Sequence, residues 1–306
     1  MFSLISQSDN RNKRLRRMGA VYMAVIALAG IIFSGCGQSG VNIDNAPYVP
    51  KIVVEGYLYC GEAVGNIRLM RNFPIGSPVD TSTLNLTPSG NNVQATINGT
   101  SLSFNPATET YFSKQINVGY GQTYTLDVYA EVDGAKLHTT STTTTPLEGF
   151  RIINRNMGSF GYNSPLMSLT FLPSPGTGFY AFSIVPDTAT TANFIYNNVF
   201  RNTLDSAKVA KNLNNFKFNG AIESGINSYS ATAFALPIRS DETWFYGKYT
   251  VVGYAGDSNF KDYVLTAPSV QEPDGNFHEP VLIFKGDGIG VFASAIADTA
   301  TFTITR

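Results

Sequence analysis

Cys36 is the residue of this chain best placed for chemistry. It closes the run Ser34-Gly35-Cys36, which follows an uncharged apolar stretch from Met18 to Phe33. Before that stretch stand Arg11, Lys13, Arg14, Arg16 and Arg17, with Asp9 as the lone acid. A basic segment, an apolar segment and small residues in that order make a secretory signal. A cysteine at the cut makes it a lipoprotein signal, whose thiol carries diacylglycerol after cleavage. Cys36 is then the first mature residue and the lipidation site. One acyl chain anchors only marginally, so stable attachment takes two or three. The apolar stretch is short for a spanning helix, which needs about 20 apolar residues. An uncleaved N-terminal anchor helix is the alternative, and it too leaves the rest outside the cytoplasm. Phe33 departs from the aliphatic residue usual at its position.

The other reactive groups are sparse. His138 and His278 are the two histidines, too few for a His-rich metal site or a readily built hydrolase triad. Gly256-Asp257-Ser258 resembles the nucleophile block of one esterase class, but that class carries it near the N-terminus of an α/β scaffold. A turn with a helix cap explains it better. Gly286-Asp-Gly-Ile-Gly290 spells neither a dinucleotide fingerprint nor a P-loop. A bulge or turn needing positive φ is expected there. Glu272, Asp274, Asn276 and Glu279 offer hard oxygens that suit Ca²⁺, yet without EF-loop spacing, so a solvated loop is expected. No catalytic residue, metal site or cofactor is assigned, and the chain is read as a non-enzyme.

Cleavage before Cys36 leaves 16 Lys and Arg against 21 Asp and Glu, a net charge of −5. No basic patch survives, which argues against nucleic acid. Lipidation of Cys36 leaves Cys60 unpaired, so no intrachain disulfide is expected and the core must hold the fold. Cys60, beside Tyr59 in a strand-like run, reads as a small buried hydrophobe.

These groups need a scaffold, and its pattern is β. Residues 1–35 form the signal peptide and 36–50 an extended tether with Pro47 and Pro50. Ile52–Tyr59, Asn66–Met70, Asn91–Ile97, the return through Leu102 and Phe104, Thr110–Val118, Thr123–Ala130 and Lys136–Thr142 alternate like strands. Asn98-Gly99 and Asp133-Gly134 are hairpin turns. This describes an N-terminal immunoglobulin- or transthyretin-like β-sandwich over 51–147. The Thr run to Thr145 reads as an edge strand, with a disordered linker as the alternative. Residues 148–306 read as a larger β domain with one or two short helices, near 203–214 and from Ser258 as cap, and with Gly290–Ala295 and Thr299–Thr305 as strands at its end. The boundary is placed near Pro146 to Gly149.

Asn276-Phe-His-Glu-Pro-Val-Leu-Ile-Phe-Lys-Gly-Asp-Gly-Ile-Gly-Val-Phe-Ala-Ser294 stands out as a block. With Val53-Val-Glu-Gly-Tyr57, Gly121-Gln-Thr-Tyr-Thr-Leu126 and the Thr-rich strand ending at Pro146, it resembles a Bacteroidota lipoprotein family catalogued as domain of unknown function 4249. Lys285 departs from the small polar residue and Asn of that pattern. The resemblance implies an outer-membrane accessory lipoprotein of nutrient uptake working with a TonB-dependent receptor, and no catalytic residue. An envelope adhesin or fimbria-like subunit is the alternative, and a glycan or peptide hydrolase ranks last. Gly37 to Asp44 holds one acid, Asp44, so the acidic run that sends some lipoproteins to the cell surface is absent. Both faces of the outer membrane stay open.

Overall fold

The computed structural model describes residues 47–74, 77–162, 167–196, 204–217, 221–225, 234–238, 243–266 and 283–306. The signal stretch, Phe33, Cys36, His278 and the oxygen-rich set Glu272, Asp274, Asn276 and Glu279 lie outside these residues. Among the described residues no helix is long and apolar enough to cross a membrane.

Alternation builds the first half. In β1 (Ile52–Tyr59) even positions turn inward: Ile52, Val54 and Leu58 are buried, while Val53, Glu55, Tyr57 and Tyr59 are half-exposed. That period of two is the strand signature. β2 (Ala63–Arg71) pairs antiparallel with β1. After a helical turn, α1 (Pro88–Asn91), come β3 (Gln94–Ile97) and β4 (Thr100–Ser101). Asn98 (φ 49°) and Gly99 (φ 78°) make the turn between them, as Asp133 (φ 51°) and Gly134 (φ 78°) do for the later hairpin. Both residues of each turn take positive φ, which Asn-Gly and Asp-Gly accept at little cost. β5 (Ser103–Asn105) leaves β4's sheet to pair with β6 (Thr110–Asn117), which pairs with β2. β7 (Thr123–Val132) and β8 (Ala135–Thr144) complete the half.

The second half adds β9 (Arg151–Ile152), β10 (Asn156–Gly161), β11 (Met167–Leu172) and β12 (Phe179–Pro186). Two short helices follow, α2 (Ser206–Lys211) and α3 (Leu213–Lys217), where one weak helix is expected from sequence. Then come β13 (Ala221–Gly225), β14 (Phe234–Ile238), β15 (Gly247–Gly256), α4 (Ser258–Thr266), β16 (Lys285–Gly286) and β17 (Gly288–Thr305). The fold is all-β with a few short helices.

β17 joins the halves. The sequence predicts two end strands, Gly290–Ala295 and Thr299–Thr305; the chain makes one of 18 residues. Its first part runs parallel to β1, from Ile52↔Gly288 to Tyr59↔Ala295. Its second part pairs antiparallel with β15 and parallel with β10. One nine-stranded sheet results, with the path β13-β12-β15-β17-β1-β2-β6-β5 and β10 beside β17. Sheets β16-β8-β7-β3-β4 and β14-β11-β9 complete the two sandwiches. Even positions of β17 serve both cores: Phe292 enters the first, and Ile296, Ala300, Phe302 and Ile304 enter the second. The two cores fall on either side of Pro146–Gly149, Phe292 excepted. The backbone ladder crosses that line, and Tyr48–Arg306 forms one compact unit.

The glycine block is built for this crossing. Gly290 has φ +108°, and a Cβ there would strike the Val54 carbonyl of β1. A Cβ on Gly288 would strike the Thr139 side chain of β8. The expected positive φ occurs at Gly286 and Gly290, and the third glycine serves close packing.

Candidate functional site

The Thr-rich strand explains how the sandwiches meet. Thr139, Ser141, Thr143 and Thr145 of the run turn inward and are buried. Buried hydroxyls need partners, and each has one. Thr139 Oγ1 donates to the Lys285 carbonyl (3.0 Å) and Ser141 Oγ to that of Ile283 (3.0 Å). Thr145 Oγ1 donates to the Gly119 carbonyl (2.8 Å). Thr143 Oγ1 lies 2.5 Å from Asp257 Oδ2 and 2.8 Å from Ser294 Oγ. The run is a paired strand of the sandwich, matched to β7 from Thr123↔Thr144 to Val132↔Ala135.

Asp257 is the centre of this polar seam. Its Oδ1 accepts from the Phe260 N–H (2.9 Å) and the Ser294 N–H (3.2 Å). The first bond caps α4, the second closes the open edge of β17. Burial pushes the Asp257 carboxyl above the usual carboxylate range, against the lowering effect of its hydrogen bonds. The sequence expects Ser258 as the cap; Asp257 takes that place, and Ser258 stands exposed beside it. Nδ2 of Asn259 donates to the carbonyls of Thr142 (2.8 Å) and Phe292 (2.9 Å), fastening β8 to β17.

Cys60 sits at the same level, half-buried and packed against both cores. Burial pushes its thiol up to about 11. It is therefore protonated near neutrality and a poor nucleophile.

Two clefts flank the Pro146–Gly149 connection. One, about 420 Å³, is lined by Tyr120, Glu148, Phe150, Arg151, Leu172 and Pro173 among others. The other, about 550 Å³, lies between Thr144–Leu147, Pro175–Phe179 and Gly256–Ser258 with Lys261. Both fall in the size range of small-ligand or peptide sites. Tyr120 and Leu147 are 39% and 52% exposed, large for apolar groups beside a cleft. Sequence reading does not single them out, although Tyr120 between Gly119 and Gly121 carries a visible signal: an aromatic held on a turn.

His138 lies on the exposed face of β8, opposite the inward hydroxyls. It stacks on Tyr129 (4.1 Å between ring centres, 10° between planes), with Nε2 3.3 Å from Asp127 Oδ2. Among the described residues no group of three or more His, Cys, Asp or Glu is placed to hold a metal ion.

No family model matches the sequence. No curated protein matches it either. Solved structures with similarity include a bacterial ice-binding adhesin studied for host cell surface retention (10% identity, 86% of this chain and 66% of that one, TM-score 0.20). A tetra-tandem repeat from the extending region of a large adhesion protein aligns at 9% identity over 84% of this chain and 49% of that one, TM-score 0.22. A chimeric titin Z1Z2 tandem aligns at 11% identity over 85% and 99%, TM-score 0.23. The chain thus spans about two-thirds and half of the two adhesin chains. At TM-scores of 0.20 to 0.23 these likenesses say nothing of this chain's role.

Proposed function

We propose that this chain is a lipid-anchored envelope protein that binds a partner and does no chemistry of its own. Cys36 carries the lipid, and the two sandwiches form the binding body. The observation that supports the reading most is the joint. A continuous strand, a capped helix and a chain of buried hydroxyls hold two sandwiches in one orientation, with a cleft on each side of their connection. Such a body presents a fixed surface, which lowers the ordering cost of binding. The resemblance to the lipoprotein family adds the partner: a TonB-dependent outer-membrane receptor, in nutrient uptake.

The first test is extraction of native membranes in mild detergent. Co-purification with a large outer-membrane barrel is expected; elution alone, with that barrel present in the extract, overturns the receptor reading. The anchor is tested separately. Cys36→Ser should abolish incorporation of labelled palmitate and leave an unprocessed precursor, and unchanged labelling would refute lipidation. The tandem sandwiches also favour an adhesin-like subunit as the second reading. That reading requires exposure on intact cells, so a shielded epitope in surface labelling removes it.

A further inference from the structure

We infer that the larger cleft takes an extended polypeptide segment, added as a strand to the open edge of β8 at Thr144. The inference deepens the binding reading above by naming a site and a ligand class. It starts from the ladder. Thr145 N–H donates to the Gln122 carbonyl of the β7 side (2.9 Å), so odd positions of β8 face β7. Even positions turn their N–H and C=O the other way, as antiparallel pairing requires. Three successive even positions show what that outer edge is for. The His138 carbonyl accepts from Asp287 N–H (2.8 Å), at the end of β16. β16 pairs there through Lys285↔Thr140 and Gly286↔Thr139. The Thr142 carbonyl is taken by Asn259 Nδ2. The Thr144 N–H and C=O come next, and no partner for either occurs among the described residues. They open onto the 550 Å³ cleft.

An unpaired edge asks for another backbone, and strand addition is a common way to bind extended peptides. The opposite wall suits that occupant. Gly176, Gly178 and Gly256 also line the cleft; a Cβ built on Gly176 would meet nothing within 4 Å, while the space beside Gly256 is filled by the Phe260 ring. Leu147, 52% exposed at the cleft's border, offers an apolar contact for one peptide side chain. Thr177, Ser258 and Lys261 offer polar contacts to others. Pro146 ends the edge, so the added strand is short and the recognition mostly main-chain.

The test pans a phage-displayed library of random 12-residue peptides on the full lipidated chain in detergent, then measures the selected peptides in solution. Peptides that bind should protect the Thr144 amide from hydrogen exchange. Thr144→Pro removes the N–H and puts a ring in the cleft. An edge strand tolerates proline where the N–H faces outward, so melting should hold while binding weakens at least tenfold, the value of about one lost hydrogen bond. Thr144→Val keeps the N–H and should bind as before. Selected peptides that bind Thr144→Pro undiminished, or that protect other amides, overturn the inference. So does a library that yields no binder while oligosaccharides bind and perturb the same cleft. Either failure leaves palmitate labelling and receptor co-purification unaffected, so the wider reading stands or falls separately.

Discussion

The two sandwiches solve one packing problem with different residues. The first core is mainly aliphatic, with Tyr111, Tyr124 and Phe292 as its aromatics among nineteen buried residues. Among the described residues, eight of the twenty in the second are aromatic: Phe150, Phe171, Tyr180, Phe182, Phe194, Phe245, Tyr249 and Phe302. The covering sheets explain the difference. Among the described residues five strands close the first sandwich, and β14, β11 and β9 close the second. Fewer strands supply fewer inward side chains, and larger ones must fill the space to native density. Aromatic rings do so and add oriented contacts, as in the Tyr249–Phe302 stack at 5.0 Å. Between these apolar cores lies a polar seam of Thr143, Ser294 and Asp257. A seam of satisfied hydrogen bonds fixes register and angle where interchangeable apolar contacts would not.

Truncating one ring on each side of the seam tests whether the cores are thermodynamically one. Phe292→Ala and Phe302→Ala each remove a buried ring from the shared strand and should cost about 3–5 kcal/mol. Calorimetry should show one transition shifted in both variants. Two transitions, each sensitive to only one variant, would break the comparison by making the sandwiches independent.

The seam comes next in size. Asp257→Ala leaves the Phe260 and Ser294 N–H groups without their acceptor and should cost about 2–3 kcal/mol in denaturant unfolding. Asp257→Asn keeps an acceptor and should cost less. The pH dependence has a definite sign. The folded carboxyl sits above its ordinary range, so the folded state holds the proton more tightly. Its stabilising contribution is full below the ordinary carboxylate value and is lost as pH rises through the folded one. The stability difference between wild type and Asp257→Asn should therefore shrink on going from about pH 4 to neutrality. A difference that grows over that window contradicts the burial of Asp257.

The smallest effects belong to the surface. Arg68–Glu55 (3.7 Å) on the first half and Lys248–Asp187 (3.6 Å) on the second are exposed pairs. Arg68→Ala and Lys248→Ala should each change stability by less than about 0.5 kcal/mol. A larger loss in urea titration would mean that surface charge, and not the cores and seam, separates the two halves.

Much of this architecture is legible along the chain because its cause is local. Period-two burial marks β1 to its exact ends, and Asn98-Gly99 and Asp133-Gly134 announce their turns by needing positive φ. Other features have no local cause. Ile296-Ala297-Asp298 reads as a break between two strands, yet pairing with Ala255, Tyr254 and Gly253 of β15 carries the strand through. Thr139 to Thr145 has hydroxyls on both faces, so its inward face is invisible until partners from Gly119, Asp257 and residues 283–294 arrive.

By itself the sequence determined an all-β chain, its turns, the candidate lipid site at Cys36 and a chemistry poor in histidine, since residue type and near-neighbour spacing are enough for these. Tertiary structure decided that one strand serves two cores, that Asp257 rather than Ser258 caps α4, and that Thr144 at the end of β8 lines a cleft. The first and last depend on strand pairings that no local pattern encodes; the cap bond itself is local, and what is not local is the contact of Asp257 with Thr143 and Ser294 that holds its carboxylate in place.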